Sequence, residues 1–254
     1  MKVLLTGTSG FIGRETLRQL LLTTIVRQVL VLSRRPLSDI KALDKRIEVF
    51  VLDNFNEYPD ELNRKLADVD AVIWCVPRYL SRILNSLANV NDRALGGSAT
   101  NPTPAGKCQE VEMEYPVNAA REVLKAKEAS REVNEKVRFL FISGILSIKD
   151  QKKRLWFLEE GRRARGLAEI KLFEVAERNR ESFETVIIKV GLVLGRESHI
   201  MGYLLGWTGL AIKVDEVAAG MVREVVGRTG NGSETVSNGE VRRRGGEWLR
   251  KGPE

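Results

Sequence analysis

Cysteine is scarce in this chain: Cys75 and Cys108 stand alone, without repeated spacing. Two unpatterned cysteines argue against a disulfide framework and against a zinc site, so no metal is expected. They suit a reducing compartment, and a cytoplasmic protein is the expectation. Histidine occurs once, at His199, where a structural or exposed role outweighs a catalytic one. Long apolar runs are missing too. Nothing approaches the ~18 consecutive apolar residues that a spanning helix needs, so no membrane segment is expected. The opening residues do not read as a secretion signal, because Gly7, Gly10 and Gly13 interrupt the apolar stretch and Arg14 and Glu15 follow. The formal charge of +7 comes without the interleaved basic and aromatic residues of an RNA-binding sheet and without a zinc-finger or basic-zipper pattern. Nucleic acid is therefore not an expected partner, and the excess fits a solvated surface plus a site for an anion.

What is there begins at the first residues. Val3, Leu4 and Leu5 form an apolar run that stops at Gly7, after which Leu17, Leu20 and Leu21 recur at helical spacing. A buried strand, a glycine turn and a helix start follow from that pattern. Gly7 permits the tight turn, Gly10 lets a pyrophosphate approach the backbone, and Gly13 lets helix and strand pack closely. The helix start offers free N–H groups to a phosphate. Residues Gly7, Thr8, Ser9, Gly10, Phe11, Ile12 and Gly13 are thus the expected phosphate cradle.

Further apolar runs at 28–32, 47–52, 70–75, 137–142 and 185–190 read as strands. Helical patterns at 60–66, 116–129, 155–180 and 215–226 alternate with them. That alternation requires a parallel sheet with right-handed crossovers, an α/β, Rossmann-like, doubly wound architecture. Between residues 91 and 114 the pattern lapses into Gly, Pro and small polar residues, which reads as a long mobile loop. Beyond Gly227 the composition reads as a loosely held tail. The expected organisation is a nucleotide-binding domain over 1–195 and a small C-terminal substrate-binding portion over 196–254, in a single compact unit.

The end of the second strand bears on the cofactor. Dinucleotide sites that prefer NAD place an acid there to receive the ribose hydroxyls. Here Ser33-Arg34-Arg35 stands instead, and the next acid, Asp39, lies beyond Pro36. A guanidinium pairs with a 2′-phosphate through two charge-assisted hydrogen bonds, so NADP(H) is the expected cofactor. Solvated turn arginines are the bland alternative. Asp53, ending the third strand, is expected to accept the adenine amino group, with Cys75, Val76 and Pro77 flanking the adenosine half.

Several later motifs then fall in a recognisable order: Ser143-Gly144, Ala168-Glu169, Lys189-Val190-Gly191 with Gly195, and Val214-Asp215 with Ala218. With Thr6-Gly7 to Gly13 they make the chain resemble the extended and atypical short-chain dehydrogenase/reductases over roughly residues 1 to 225. The resemblance implies a nicotinamide cofactor, a small-molecule substrate and a homodimer formed through the helices at 116–129 and 155–180. It also implies that Ser143 hydrogen-bonds a substrate carbonyl. One departure limits the transfer. Laid on this chain, the family's catalytic Tyr-x-x-x-Lys puts Gly161 at the tyrosine and Arg165 at the lysine, and no tyrosine occurs between Tyr115 and Tyr203. Arg165 can still hold ribose or phosphate, but its high pKa makes it a poor proton donor. Tyr79, Lys152 and Lys153 are candidates to replace the missing acid. The readings that follow are a reductase or an epimerase/isomerase with unusual acid–base groups, a catalytically silent NADP(H)-binding regulator, or a non-redox isomerase or cyclase on the same fold.

Overall fold

The computed structural model describes residues 1–75, 107–130, 136–152, 159–196, 209–227 and 232–252. Its centre is a seven-stranded sheet in the order β3-β2-β1-β4-β5-β6-β9. The strands are β1 (Lys2–Thr6), β2 (Gln28–Ser33), β3 (Ile47–Val51), β4 (Ala71–Trp74), β5 (Val137–Gly144), β6 (Phe183–Val190) and β9 (Glu234–Val236). Every pairing among them is parallel. Strand order reverses between β1 and β4, which opens a crevice at the carboxyl ends of these two strands. The central strands are buried on both faces, which is why they read as continuous apolar runs rather than alternating ones.

Helices cover the two faces. Helices α1 (Phe11–Leu22), α6 (Val214–Gly227) and α7 (Asn238–Lys251) bury Leu17, Leu20, Val217, Met221, Val241 and Trp248 against Val3, Leu5, Leu140 and Ile188. Helices α3 (Asp60–Leu66), α4 (Tyr115–Ser130) and α5 (Glu159–Arg178) pack on the other face, where Leu62, Val123 and Leu172 meet Leu4, Phe139, Phe141 and Ile187. A single turn, α2 (Ser38–Lys41), links β2 to β3. A small parallel pair, β7 (Leu192–Leu194) and β8 (Ala211–Lys213), stands apart from the main sheet.

Two expectations change. The C-terminus is no loose tail: Glu234–Val236 adds the seventh strand beside β6, and a helix follows. That helix starts in a capping box, with Ser237 accepting from the Glu240 N–H and the Glu240 carboxylate accepting from the Ser237 N–H. Three residues are too few to show strand periodicity, and a helix with glycines at 239, 245 and 246 has lowered intrinsic propensity. Packing, not local preference, forms both. The segment before α4 also departs from the loop reading, since Glu110–Glu114 forms a turn of π-helix leading directly into it. Residues 91–106 of the expected loop lie outside the described residues. Among the described residues, no helix is long and apolar enough to cross a membrane.

Candidate active site

The glycine turn between β1 and α1 lies in the crevice. Gly7 has φ +72°, and a Cβ there would meet the Cys75 carbonyl oxygen at 2.6 Å. A Cβ on Gly13 would lie 2.2 Å from the Gly7 carbonyl oxygen, which accepts from the Gly10 N–H at 2.9 Å. Helix α1 starts at Gly10 with no side-chain cap and no acid in its first turn. Thr8 is 1% exposed, and its Oγ1 has no partner among the described residues. An uncapped helix start beside a buried, unpaired hydroxyl is a set of donors waiting for an acceptor, and it fits the phosphates of a dinucleotide. Ser9 is exposed, Phe11 half-buried and Ile12 buried.

Thr6 ties the turn to β4: its hydroxyl accepts from the Cys75 N–H at 3.0 Å. Burial pushes the Cys75 thiol up to about 12, so the group is neutral and structural. Val76 and Pro77 lie outside the described residues, as do Tyr79, Lys153 and His199. Lys152 is exposed in a turn.

At the end of β2, Ser33 Oγ accepts from the Arg35 N–H at 3.2 Å, and both Arg34 and Arg35 are exposed. Asp53 is exposed just past β3. Tyr115 reaches the same region from the start of α4, stacked on Phe55 with ring centroids 5.5 Å apart. Burial and its hydrogen bond to Glu110 raise the Tyr115 phenol to about 12, while nearby Arg34 pulls it the other way. Sequence reasoning gave Tyr115 no role here.

The carboxyl ends of β5 and β6 hold the second half of the site. Ser143 and Lys189 are register partners on adjacent strands, and both continue the face that packs on α5. Glu169 of α5 meets them there. Ser143 donates to its Oε1 at 2.5 Å, Ser147 donates to the same oxygen at 2.6 Å, and Lys189 Nζ is bonded to both Ser147 and Glu169. Glu169 is fully buried, its Oε2 unpaired among the described residues except for Lys149 Nζ at 3.9 Å. The Ser147 loop is held on α5: Ile148 donates to the Arg162 carbonyl at 3.0 Å, and a Cβ on Gly166 would lie 1.8 Å from the Ile148 carbonyl.

Gly161, Arg165 and Glu169 recur every four residues and so share one side of α5. No described atom lies within 4 Å of a Cβ built on Gly161. Arg165 forms a two-pronged ion pair with Glu112 of the π turn, at 2.7 and 3.1 Å. Its Nη1 would be 3.6 Å from a Cβ on Gly144, which places the guanidinium at the carboxyl end of β5. Burial opposes its charge, but the Glu112 carboxylate outweighs that and raises the pKa above the ordinary guanidinium value. Arg165 therefore stays a cation.

Solved structures share this fold. The carbonyl reductase Sniffer of D. melanogaster aligns with a TM-score of 0.63 at 14% identity, covering 94% of this chain and 97% of its own. DesIV, a dTDP-glucose 4,6-dehydratase from Streptomyces venezuelae, aligns with a TM-score of 0.62 at 16% identity, covering 100% of this chain and 82% of its own. Gre2 from Candida albicans aligns at 0.56 and 14% identity, covering 93% and 78%. The chain shares the fold of these three proteins. No protein-family model and no curated protein matches the chain. In the sequence, Glu169 and Lys189 stood only as motif residues, without a role, and Ser147 and Glu112 were not singled out. One signal pointed towards them: Lys189 is the one charge in the 185–190 apolar run, and its strand partner is Ser143.

Proposed function

We propose that this chain is an NADP(H)-binding enzyme that reduces, or epimerises through reversible oxidation, a carbonyl or hydroxyl carbon of a small metabolite. The observation that carries the reading is the cradle: Thr8 Oγ1 buried without a partner beside an uncapped helix start, with a Gly13 contact that admits no side chain. DesIV was solved with NAD and Gre2 with NADPH, which supports a nicotinamide dinucleotide in the equivalent crevice. The bound nicotinamide would supply or accept a hydride. The chain's own part is to hold the phosphates at Gly7–Gly13, the adenosine ribose at Ser33, Arg34 and Arg35, and the nicotinamide ribose near Arg165, which leaves the reacting carbon by Ser143.

NADP(H) preference rests on the two exposed arginines at the end of β2. A charge-assisted contact to a 2′-phosphate contributes roughly 1.5–3 kcal/mol, about ten- to a hundredfold in affinity. Calorimetric titration should give the wild type that preference for NADPH over NADH, and the Arg34→Ala, Arg35→Ala double variant should lose it. Equal wild-type affinities, or a double variant that keeps the preference, would refute the assignment. Oxidation of NADPH with a panel of aldehydes and ketones then tests turnover. A second reading, a silent NADP(H)-binding regulator, is favoured by one observation: Gly161 supplies no proton where the tyrosine would stand. Tight binding without turnover of any panel member would support it.

A further inference from the structure

With Gly161 and a permanently charged Arg165 on α5, the proton for a substrate oxygen must come from elsewhere. Counting hydrogens at the carboxyl ends of β5 and β6 narrows the source. The single hydroxyl proton of Ser143 is donated to Glu169, and so is that of Ser147. Lys189 carries three protons on Nζ. Two are directed at Glu169 and Ser147, and the third has no partner among the described residues. The Lys189 side chain is 18% exposed, while Glu169 is sealed at 0%. Among the groups hydrogen-bonded in the cluster, the Lys189 ammonium is thus the one that both reaches the surface and retains a proton to give, while Lys149 stands off at 3.9 Å from Glu169.

From this we infer that Lys189 is the catalytic acid of this site, held by Glu169 and Ser147. The inference rests on the reading of the chain as a nicotinamide-dependent enzyme. If a bound reduced nicotinamide supplied a hydride to the substrate carbon, the C=O π pair would move to oxygen. The oxygen takes a proton from Nζ, the N–H pair stays on nitrogen, and the neutral amine regains a proton from water at its exposed side. In the oxidative direction the neutral amine accepts the hydroxyl proton. The fixed charges around Nζ come from three elements: Glu169 and Arg165 on α5, Lys149 on the loop after β5, and Glu112 on the π turn beyond Arg165. Glu169 keeps the ammonium in place through their ion pair.

Two substitutions separate an acid from a structural counter-ion. Lys189→Arg keeps the charge and the pair with Glu169 but binds its proton too tightly to release it. Against the carbonyl panel with NADPH, Lys189→Met and Lys189→Arg should both lower turnover about a hundred- to ten-thousandfold. Nucleotide affinity, measured by calorimetry, should stay within about twofold of wild type for each. Wild-type turnover in either variant would overturn the assignment, and rescue by arginine in particular would reduce Lys189 to a counter-ion. The Arg variant decides the matter even if Lys189→Met fails to fold. A second readout needs no turnover. With NADP⁺ bound, acetate mimics a substrate oxygen, and it should shift, saturably, the one lysine ammonium NMR resonance that Lys189→Arg removes. A Lys189 resonance indifferent to acetate would overturn the inference, even if no panel compound is reduced. Failure of the wild type to bind either nucleotide would instead defeat the functional reading beneath it.

Discussion

A methyl group at residue 13 would have no room. The atoms it would strike are backbone, the Gly7 carbonyl oxygen at 2.2 Å and its carbon at 2.5 Å, so no side chain can swing aside. Gly13→Ala should therefore push α1 off the turn, costing about 1–3 kcal/mol as overpacking does. It should also misplace the N–H donors of Gly10 and its neighbours. Dinucleotide affinity is expected to fall at least about tenfold, a loss of about 1.4 kcal/mol, alongside a lower melting temperature. A variant that melts and binds like wild type would show that the cradle is not built on this contact. Residue 13 was legible in the sequence because its job is backbone proximity, which a glycine spacing expresses directly. The Lys189–Glu169–Ser147 cluster was not. Its members are far apart in sequence and meet only through the β5–β6 register and the rotation of α5, neither of which a local pattern records. Arg165 was singled out in advance, but its partner Glu112 depends on a π turn that no spacing announces.

Elements that looked weakest in the sequence are tied in by charge. Arg138 of β5 is 1% exposed, yet its guanidinium is paired. Nε pairs with Glu184 of β6 at 2.5 Å, and Nη1 donates to the Glu224 carbonyl of α6 at 2.7 Å. The Glu224 carboxylate in turn meets Arg244 of α7 at 2.7 Å. One buried network thus joins two strands to the last two helices, and Gly245 lets α7 approach α6 closely, its missing Cβ lying 2.0 Å from the Glu216 carbonyl. Composition beyond Gly227 hid this, because Arg and Gly read as loop residues until their partners on other elements are known. Removing one partner of a buried pair strands the others, at a cost of about 3–5 kcal/mol. Arg138→Ala should accordingly lower the melting temperature by roughly 2–4 °C per kcal/mol lost, and hydrogen exchange should speed up in α7 first. A melting temperature unchanged by the substitution would mean that packing alone holds the C-terminal elements.

On the scale of the whole molecule, the two sheet faces are finished differently. On the face under α1, α6 and α7, α7 turns Arg243 and Arg250 outward with Leu249 beside them, and Arg243 pairs with Glu247. On the other face, α5 buries Ala164, Ala168, Leu172 and Val175 but leaves Leu167, Ile170 and Phe173 only half-covered. Its neighbour α4 presents Arg121, Lys125 and Glu128 to solvent. Half-buried apolar groups with a charged surround are what a moderate protein interface is made of, an apolar centre and a polar rim. A homodimer through α4 and α5 follows as a prediction, and the net charge sets its conditions. Two copies at +7 repel one another, so association should strengthen as salt screens that repulsion, until the Debye length falls to about 8 Å near 0.15 M. Light scattering at micromolar concentration should give twice 28.5 kDa at that ionic strength and a smaller mean mass at low salt. Leu167→Glu with Phe173→Glu should return the mass to one chain without loss of nucleotide binding, because neither residue lies in the cradle. A mass of 28.5 kDa for the wild type at every salt concentration would leave this face as plain surface.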